Sequence, residues 1–345
     1  PCTPPQSPVQ RYRDTLDQCA FAESLGFESV WPVEQHFNPE LSILPTPILL
    51  LAALAERTRT LRLGIAITLL PLWHPVRIAE EIATLDVISN GRVEFGIGRG
   101  SLPTHFAGFG IEMAENRDRF LEGLEIILKA WTDERVTHHG RFFTLDNLAV
   151  VPKPVQQPYP AIRVAANSPE TFELMGRMGY PIFAAAQVNP FYRIAKYLPI
   201  YREARKAAGH PDNGPEDVTI LTPLHVGENE AEIRRDMEPS LNHFLQAATT
   251  IRNSPEWREK FGAADRKRTE ERSRMTYERA CEVMAIYETP AACVERLGRL
   301  REEFNTGRVI CWFNTGGLVP HDRVMRSMEL FAARVMPHFA EQTTH

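Results

Sequence analysis

No run of apolar residues in this chain approaches the roughly 18 that a membrane-spanning helix needs. Cysteine is scarce: five in 345 residues, at positions 2, 19, 281, 293 and 311, with no Cys-x-x-Cys pair and an odd total. That count excludes a disulfide framework, and the thiols read as isolated groups in a reducing compartment. An excess of one charge is missing too. The formal net charge is −5, and a mildly acidic chain has no general attraction for nucleic acid or an anionic membrane. There is no HExxH, no GKS/T phosphate loop and no GxSxG turn, and the eleven histidines are scattered. Neither a metal centre nor a serine nucleophile therefore has support. The opening stretch PCTPPQSP lacks the basic start and apolar core of a signal peptide, so a cytoplasmic protein is expected.

What is present is an ordinary globular balance, 43% hydrophobic and 24% charged, with enough apolar residues for a large core. Short apolar runs alternate with helical patterns. The candidate strands are ESVWPVE (28–34), LRLGIAIT (61–68), RVEFGIG (92–98), AIRVAAN (161–167), YPIFAAA (180–186), DVTILTPLHV (217–226) and GRVICWF (307–313). Several are apolar at nearly every position, the mark of parallel strands buried on both faces. Between them, Tyr12, Leu16, Cys19 and Ala20 keep a helical spacing, as do Ile78, Ile82 and Leu85 after Pro75, with Asn90-Gly91 as a stop. Repeated strand-then-helix units imply a parallel α/β sheet with right-handed crossovers. The fold expected is a (β/α)₈ TIM barrel in one domain, 1–345. Seven strands are found, so the first strand is expected upstream of residue 1, where the initiator Met is also missing. Residues 136–160 suggest a hairpin and a long loop. Residues 228–288 form a charged, mostly helical insertion before the last strand. Its very polar segment 254–275 reads either as a solvated surface helix or as a mobile lid.

Four segments carry candidate chemistry, and each also has a plain structural reading. In VWPVEQHFNPE (30–40) a strand ends and a loop presents Glu34, Gln35 and His36. In a β/α barrel such strand ends form the active-site face, and a histidine there can move protons, although it can equally be a hydrogen-bonding scaffold residue. LGIAITLLPLWHPVRIAEE (63–81) is a buried strand, a proline-punctuated loop and a helix start. GRVEFGIGRGSLPTHFAGFG (91–110) runs into Gly96, Gly98 and Gly100 with Arg99 among them, which lets backbone and guanidinium approach a phosphate. A Rossmann turn would need a third glycine at the right spacing and an uninterrupted helix, and Pro103 interrupts it. In VAANSPETFELMG (164–176), Ser168-Pro169-Glu170 reads as N-cap, first helical residue and first-turn acid. Such a terminus is either simply capped or an anion site, with Thr171 adding a hydroxyl.

Taken in order, these segments resemble the bacterial-luciferase-like flavin-dependent monooxygenase family, luciferase α subunits among them. The likeness rests on LGFESVWPVEQHF, LGIAITLLPLWHPVRIAEEIATLDVISNGRVEFGIGRG and VAANSPETFELMGRMGYPI, then on IYETPAACVERLGRL and MELFAARVMPHF near the end. The resemblance implies a (β/α)₈ barrel that binds reduced FMN or, in one branch, a deazaflavin. It places Arg99, Arg117, Ser168 and Thr171 at the flavin phosphate, with Gly98, Gly100, Ser101 and Asn167 beside the cofactor. It implies a cis peptide at Ala66–Ile67 under the flavin ring, and a lid at 254–275. Gln35 stands where luciferase has its assigned catalytic base, and His36 matches the adjacent histidine. Gly98 replaces a reactive cysteine, and Asn167 replaces a glutamate. These departures argue against light emission but leave flavin binding intact.

The function so implied is monooxygenation of a small organic substrate by reduced FMN and O₂ through a flavin hydroperoxide. A separate NAD(P)H-dependent flavin reductase would supply the reduced FMN. His36 is the expected proton carrier, with Glu34 and Gln35 orienting it or the flavin edge. Three alternatives stay open: deazaflavin-dependent hydride transfer without O₂, a flavin-binding protein without turnover, and a barrel enzyme with no flavin. Gln187, Phe191 and Trp312 are expected in the pocket wall, and a homodimer is expected.

Overall fold

The computed structural model describes residues 6–340, the side chains of 263–266 excepted. In chain order, α1 (Pro8–Ser24) leads to β1 (Ser29–Val30), α2 (Pro47–Arg57), β2 (Arg62–Gly64) and β3 (Thr68–Leu69). Next come α3 (Pro75–Ile88), β4 (Val93–Gly98), α4 (Pro103–Gly108), α5 (Asn116–Thr132), β5 (Val136–His139) and β6 (Thr144–Leu148). β7 (Ala161–Ala165), α6 (Pro169–Met178), β8 (Ile182–Ala185), α7 (Phe191–Ala207) and β9 (Val218–Val226) follow. The chain continues through α8 (Glu230–Arg252), α9 (Pro255–Ser273), α10 (Tyr277–Val283), β10 (Ile286–Glu288), α11 (Pro290–Phe304), β11 (Arg308–Trp312) and α12 (His321–Arg334). Proline opens α1, α2, α3, α4, α6, α9 and α11. There its fixed φ suits the helix, and its missing N–H would have had no partner.

The chain groups into two units. The first holds residues 28–38 and 44–163. In it β2 pairs with β1 and β4, and β3 also pairs with β4, all parallel. Val93–Gly98 is buried at every position, as its unbroken apolar run predicts. Helices α2 and α3 bury Leu51, Leu54, Ile78 and Ile82. The guanidinium of Arg92 donates to the carbonyls of Ala55, Thr58 and Leu61, which ties the end of α2 to the start of β2. β5 and β6 form the expected antiparallel hairpin.

The second unit holds residues 6–27, 39–43 and 164–340. β8 pairs with β7 and β9, and both β10 and β11 pair with β9, again all parallel. The architecture is α/β with parallel strands and helical crossovers, the class expected. Each of the seven strands falls inside its predicted run. The run 61–68 is divided, with β2 at its start and β3 beginning at its last residue. β10 was not expected. Its three residues close the segment 228–288 that was expected to be mostly helical, too short a run to separate from a helix end by pattern. The strand expected before residue 1 lies outside the described residues. Among those residues no helix is long and apolar enough to cross a membrane.

The loop after β11 is held against α8. Ser240 Oγ donates to the Thr315 carbonyl at 2.5 Å and accepts from Leu318 N–H at 3.0 Å. Gly316 sits there at φ +85, and a Cβ on it would stand 1.7 Å from the Ser240 carbonyl oxygen. Gly110 also has positive φ, +66, but nothing lies within 4 Å of its missing Cβ. Gly110→Ala should therefore cost only the left-handed penalty, about 1–2 kcal/mol. Gly316→Ala should add an overpacking cost, for a total of about 2–5 kcal/mol. Urea unfolding of the two variants checks this. Equal losses would remove the steric argument.

Candidate active site

The site is built in the first unit, where loops leave the carboxyl ends of β1, β3 and β4. Parallel strands present those ends on one side, where β/α folds place their chemistry. The first loop carries Glu34, buried at 6% exposure. A carboxylate removed from water must fill its lone pairs with donors. Glu34 Oε2 accepts from the Leu69 backbone N–H at 3.0 Å, and Oε1 accepts from Trp73 Nε1–H at 2.8 Å. Oε1 also meets His36 Nε2 at 2.9 Å. As Oε1 is an acceptor, His36 carries its proton on Nε2, and Nδ1 keeps the lone pair.

The His36 ring is itself buried and set among aromatic groups. Phe109 meets it edge-on at 4.9 Å between centroids, and Trp73 lies at 5.7 Å. Behind it, Leu69, Leu72 and Phe106 form a buried apolar cluster against which Ile67, Trp73 and Phe109 pack. The Ala66–Ile67 peptide bond is cis, the geometry that the resemblance implies there.

His105, in α4, was not singled out from the sequence. It is 2% exposed. Its Nε2 lies 3.4 Å from His36 N–H and 3.2 Å from Gln35 Nε2. A backbone N–H can only donate, so His105 Nε2 is the acceptor and its proton sits on Nδ1. The Gln35 amide then also turns its NH₂ toward that nitrogen. His105 Nδ1 and the neighbouring Thr104 Oγ1 are buried without a partner among the described residues. Burial, then the nearby His36, push the His105 pKa down to about 4, while the backbone contact to His36 raises it slightly. No sequence periodicity marks this histidine, because its neighbours come from a loop about 70 residues away.

The other predicted residues are distributed as follows. Gly98 ends β4, and Gly100 takes φ +75 with the Phe106 ring 3.2 Å from its missing Cβ. Arg99 is half-buried, while Ser101 and Arg117 are exposed, Arg117 in the first turn of α5. In the second unit, Ser168 caps α6 by accepting from Thr171 N–H, and the two hydroxyls lie 3.0 Å apart. The Asn167 carbonyl accepts from Asn189 Nδ2 at 3.0 Å. Phe191 is buried at the start of α7, and Trp312 meets Phe244 edge-on at 5.3 Å. The Gln187 carbonyl accepts from Arg272 of α9, and its side-chain Oε1 is buried and unpartnered. α9 covers the polar segment 254–275 and leaves helical geometry at Gly262. The four described cysteines are free thiols, all with pKa values raised chiefly by burial. None is a ready nucleophile at neutral pH.

The family model described as luciferase-like monooxygenase matches residues 2–306. An uncharacterized protein of Sinorhizobium fredii, y4vJ, is 32% identical over 66% of this chain, which spans only 64% of that relative. The oxygenase component of a flavin-dependent trigonelline monooxygenase of Acinetobacter baylyi is 29% identical over 69% of this chain and 67% of its own. Among solved structures, the monooxygenase RslO1 of Streptomyces bottropensis superposes with a TM-score of 0.81 at 29% identity, covering 96% of this chain and 95% of that one. Two more, under 25% identical, share the fold. The oxygenating constituent of 3,6-diketocamphane monooxygenase of Pseudomonas putida, in complex with FMN, has a TM-score of 0.77 at 22% identity, covering 97% and 95%. An F420-dependent secondary alcohol dehydrogenase has 0.76 at 19% identity, covering 95% of each chain.

A neutral buried histidine gives the site a pH dependence. The unfolded His105 takes up a proton near pH 6.5, whereas the folded one does so only near 4. Between those values the unfolded state binds more protons, so stability falls as pH drops from 6.5 to 4 and then levels off. The size is about 3 kcal/mol. His105→Gln keeps an acceptor near the Nε2 position but cannot titrate. Its unfolding free energy between pH 7 and 4 should fall by about 3 kcal/mol less than that of the unaltered chain. Parallel curves would mean that His105 is not held neutral.

Proposed function

Because this chain belongs to the luciferase-like monooxygenase family, we propose that it is a flavin-dependent monooxygenase that uses reduced FMN and O₂ to oxygenate a small organic substrate. The observation that carries this reading is the buried Glu34–His36 pair, set in an aromatic and aliphatic wall at the carboxyl ends of parallel strands. The residues present fit the cofactor. Ile67, Trp73 and Phe109 offer apolar surface of the kind a flat ring system needs. Arg99 and Arg117 have the charge and fork geometry for its phosphate. When bound, reduced FMN supplies the electrons that activate O₂.

What the chain's own residues do follows from the geometry. Glu34 holds His36 in the Nε2–H tautomer, which leaves Nδ1 as the atom that accepts and returns a proton. Gln35 has no proton to exchange, so the role that the family gives its position passes to His36. The aromatic groups around His36 exclude water. α9 acts as a mobile lid, a separate reductase provides reduced flavin, and the chain works as a homodimer, for which sedimentation velocity is the check.

The first test is an anaerobic titration with reduced FMN followed by mixing with O₂. Saturable binding, with the bound flavin oxidised more slowly than free flavin, is the expected result. Absence of binding would sink the FMN reading and favour a deazaflavin. Arg99→Ala and Arg117→Ala should each weaken binding by about 10- to 100-fold, the loss of one charge-assisted contact. His36→Ala should keep flavin affinity and lower product formation by about 10²–10⁴-fold. Deleting 258–274 should divert O₂ consumption to H₂O₂, and unchanged coupling would end the lid role.

A further inference from the structure

The active site presents hydrogen-bond acceptors on two adjacent residues. The Glu34 carboxylate takes Nε2–H of His36, so His36 Nδ1 carries a lone pair. His105 Nε2 takes the Gln35 amide NH₂ at 3.2 Å, which leaves the side-chain oxygen of Gln35, Oε1, as an acceptor. Neither Nδ1 nor Oε1 has a partner among the described residues, and neither is closed off from solvent. A ligand that satisfies both must bring O–H or N–H donors. The surface around them is aromatic. Beyond Trp73 and Phe109, Phe37 is 59% exposed, its ring 5.3 Å from that of Phe109 and 5.7 Å from that of His36. Phe37 takes φ +55. An exposed phenylalanine in the left-handed region is held there against its own preference, a kind of strain that clusters at ligand sites. Gly108 makes the room, since a Cβ on it would stand 2.2 Å from the Phe37 ring.

We propose that the substrate is a hydroxylated aromatic ring, with one acidic O–H for His36 Nδ1, a second donor for Gln35 Oε1, and its face against Phe37 and Phe109. This deepens the monooxygenase reading and rests on it for the oxygenation, though not for the binding. Acidity decides the class. A phenol, with a pKa of about 10, lies about 3–4 units above an ordinary imidazole, whereas an aliphatic alcohol, as weak an acid as water, lies about 9 units above it. An alkanal or an alkene brings no donor at all. In the step itself the phenol O–H bond breaks, the proton goes to Nδ1 and the electron pair stays on oxygen. The imidazolium keeps its Nε2–H on Glu34, and the other titratable group against it, His105, stays uncharged. The phenolate is electron-rich at its ortho and para carbons, which suits them to receive oxygen.

Calorimetry and absorbance of the flavin-free chain with 4-nitrocatechol test this, beside 4-nitrophenol, which lacks the second donor, and 4-nitroanisole, which lacks both. The anions of the first two are coloured, so loss of the proton is seen directly. The buffer is held well above the pH of about 4 at which His105 protonates, and low enough that free nitrocatechol is mostly neutral. Affinity should fall about 2- to 10-fold from nitrocatechol to nitrophenol, and about tenfold or more again to nitroanisole. Gln35→Leu should erase the first difference. His36→Gln, whose amide can still donate to Glu34, should bind nitrocatechol without the colour of its anion. Gly108→Ala, which crowds the Phe37 ring, should weaken all three alike. Four results would overturn the proposal: no binding of any of the three at millimolar concentration, equal affinity for nitroanisole and nitrocatechol, no anion colour on binding, or that colour undiminished in His36→Gln. Failure here is separable from failure of the flavin titration. FMN binding without nitrocatechol binding removes the substrate class alone, and the reverse removes the cofactor reading alone.

Discussion

The buried carboxylate of Glu34 is the constraint on which the active-site end of the first unit depends. Its partners come from three places: a backbone N–H in β3, an indole N–H five residues before the first turn of α3 is complete, and the ring of His36 two residues along its own loop. None can be dropped cheaply, because an unanswered buried charge or donor costs several kcal/mol. The carboxylate therefore fixes the loop after β1 against the loop after β3 more firmly than apolar packing alone would. It also fixes a proton. By accepting from Nε2–H it leaves Nδ1 of His36 as the basic atom, so fold and chemistry are specified by the same contacts.

Two histidines 5.5 Å apart are thereby given opposite characters. His36 has a carboxylate beside it, whereas His105 has only uncharged donors pointing at Nε2 and is otherwise desolvated. Burial without a counter-charge keeps His105 neutral well below the ordinary range of an imidazole. A second cation near His36 would compete for Glu34 and raise the cost of any proton that His36 holds. The Gln35–His105 contact shares this economy, since an uncharged amide meets an uncharged ring. The uncharged Gln35 side chain is thus matched by a neutral partner at 105.

How much of this was legible in the sequence follows from the range of the interactions. Strands buried on both faces leave continuous apolar runs, so Val93–Gly98 and Val218–Val226 stood out. Proline and serine at helix starts are local signals, and Ser168 caps α6 as its spacing predicted. Glu34, Gln35 and His36 could be singled out because they follow a strand. That Glu34 is satisfied by Leu69 and Trp73 could not be read, because those partners lie about 35 and 39 positions away and meet it only through strand pairing. His105 was illegible for the same reason, and β10 because three residues make no pattern.

The charge of the whole chain illustrates the same limit. A net charge of −5 speaks to long-range encounters with large polyanions, where the field of the whole molecule counts. It says nothing of how charge is spread along the chain. Within a Debye length, about 8 Å at physiological ionic strength, the local arrangement decides. The polar run 254–275 read as a solvated surface because it is highly polar, and its seven lysines and arginines against five carboxylates give a local positive excess that the whole-chain charge conceals. Folding sets part of that excess against the segment 186–193, where Glu271 pairs with Arg193 and the Gln187 carbonyl accepts from Arg272. An acidic protein can in this way carry a locally cationic segment, and its composition will not reveal it.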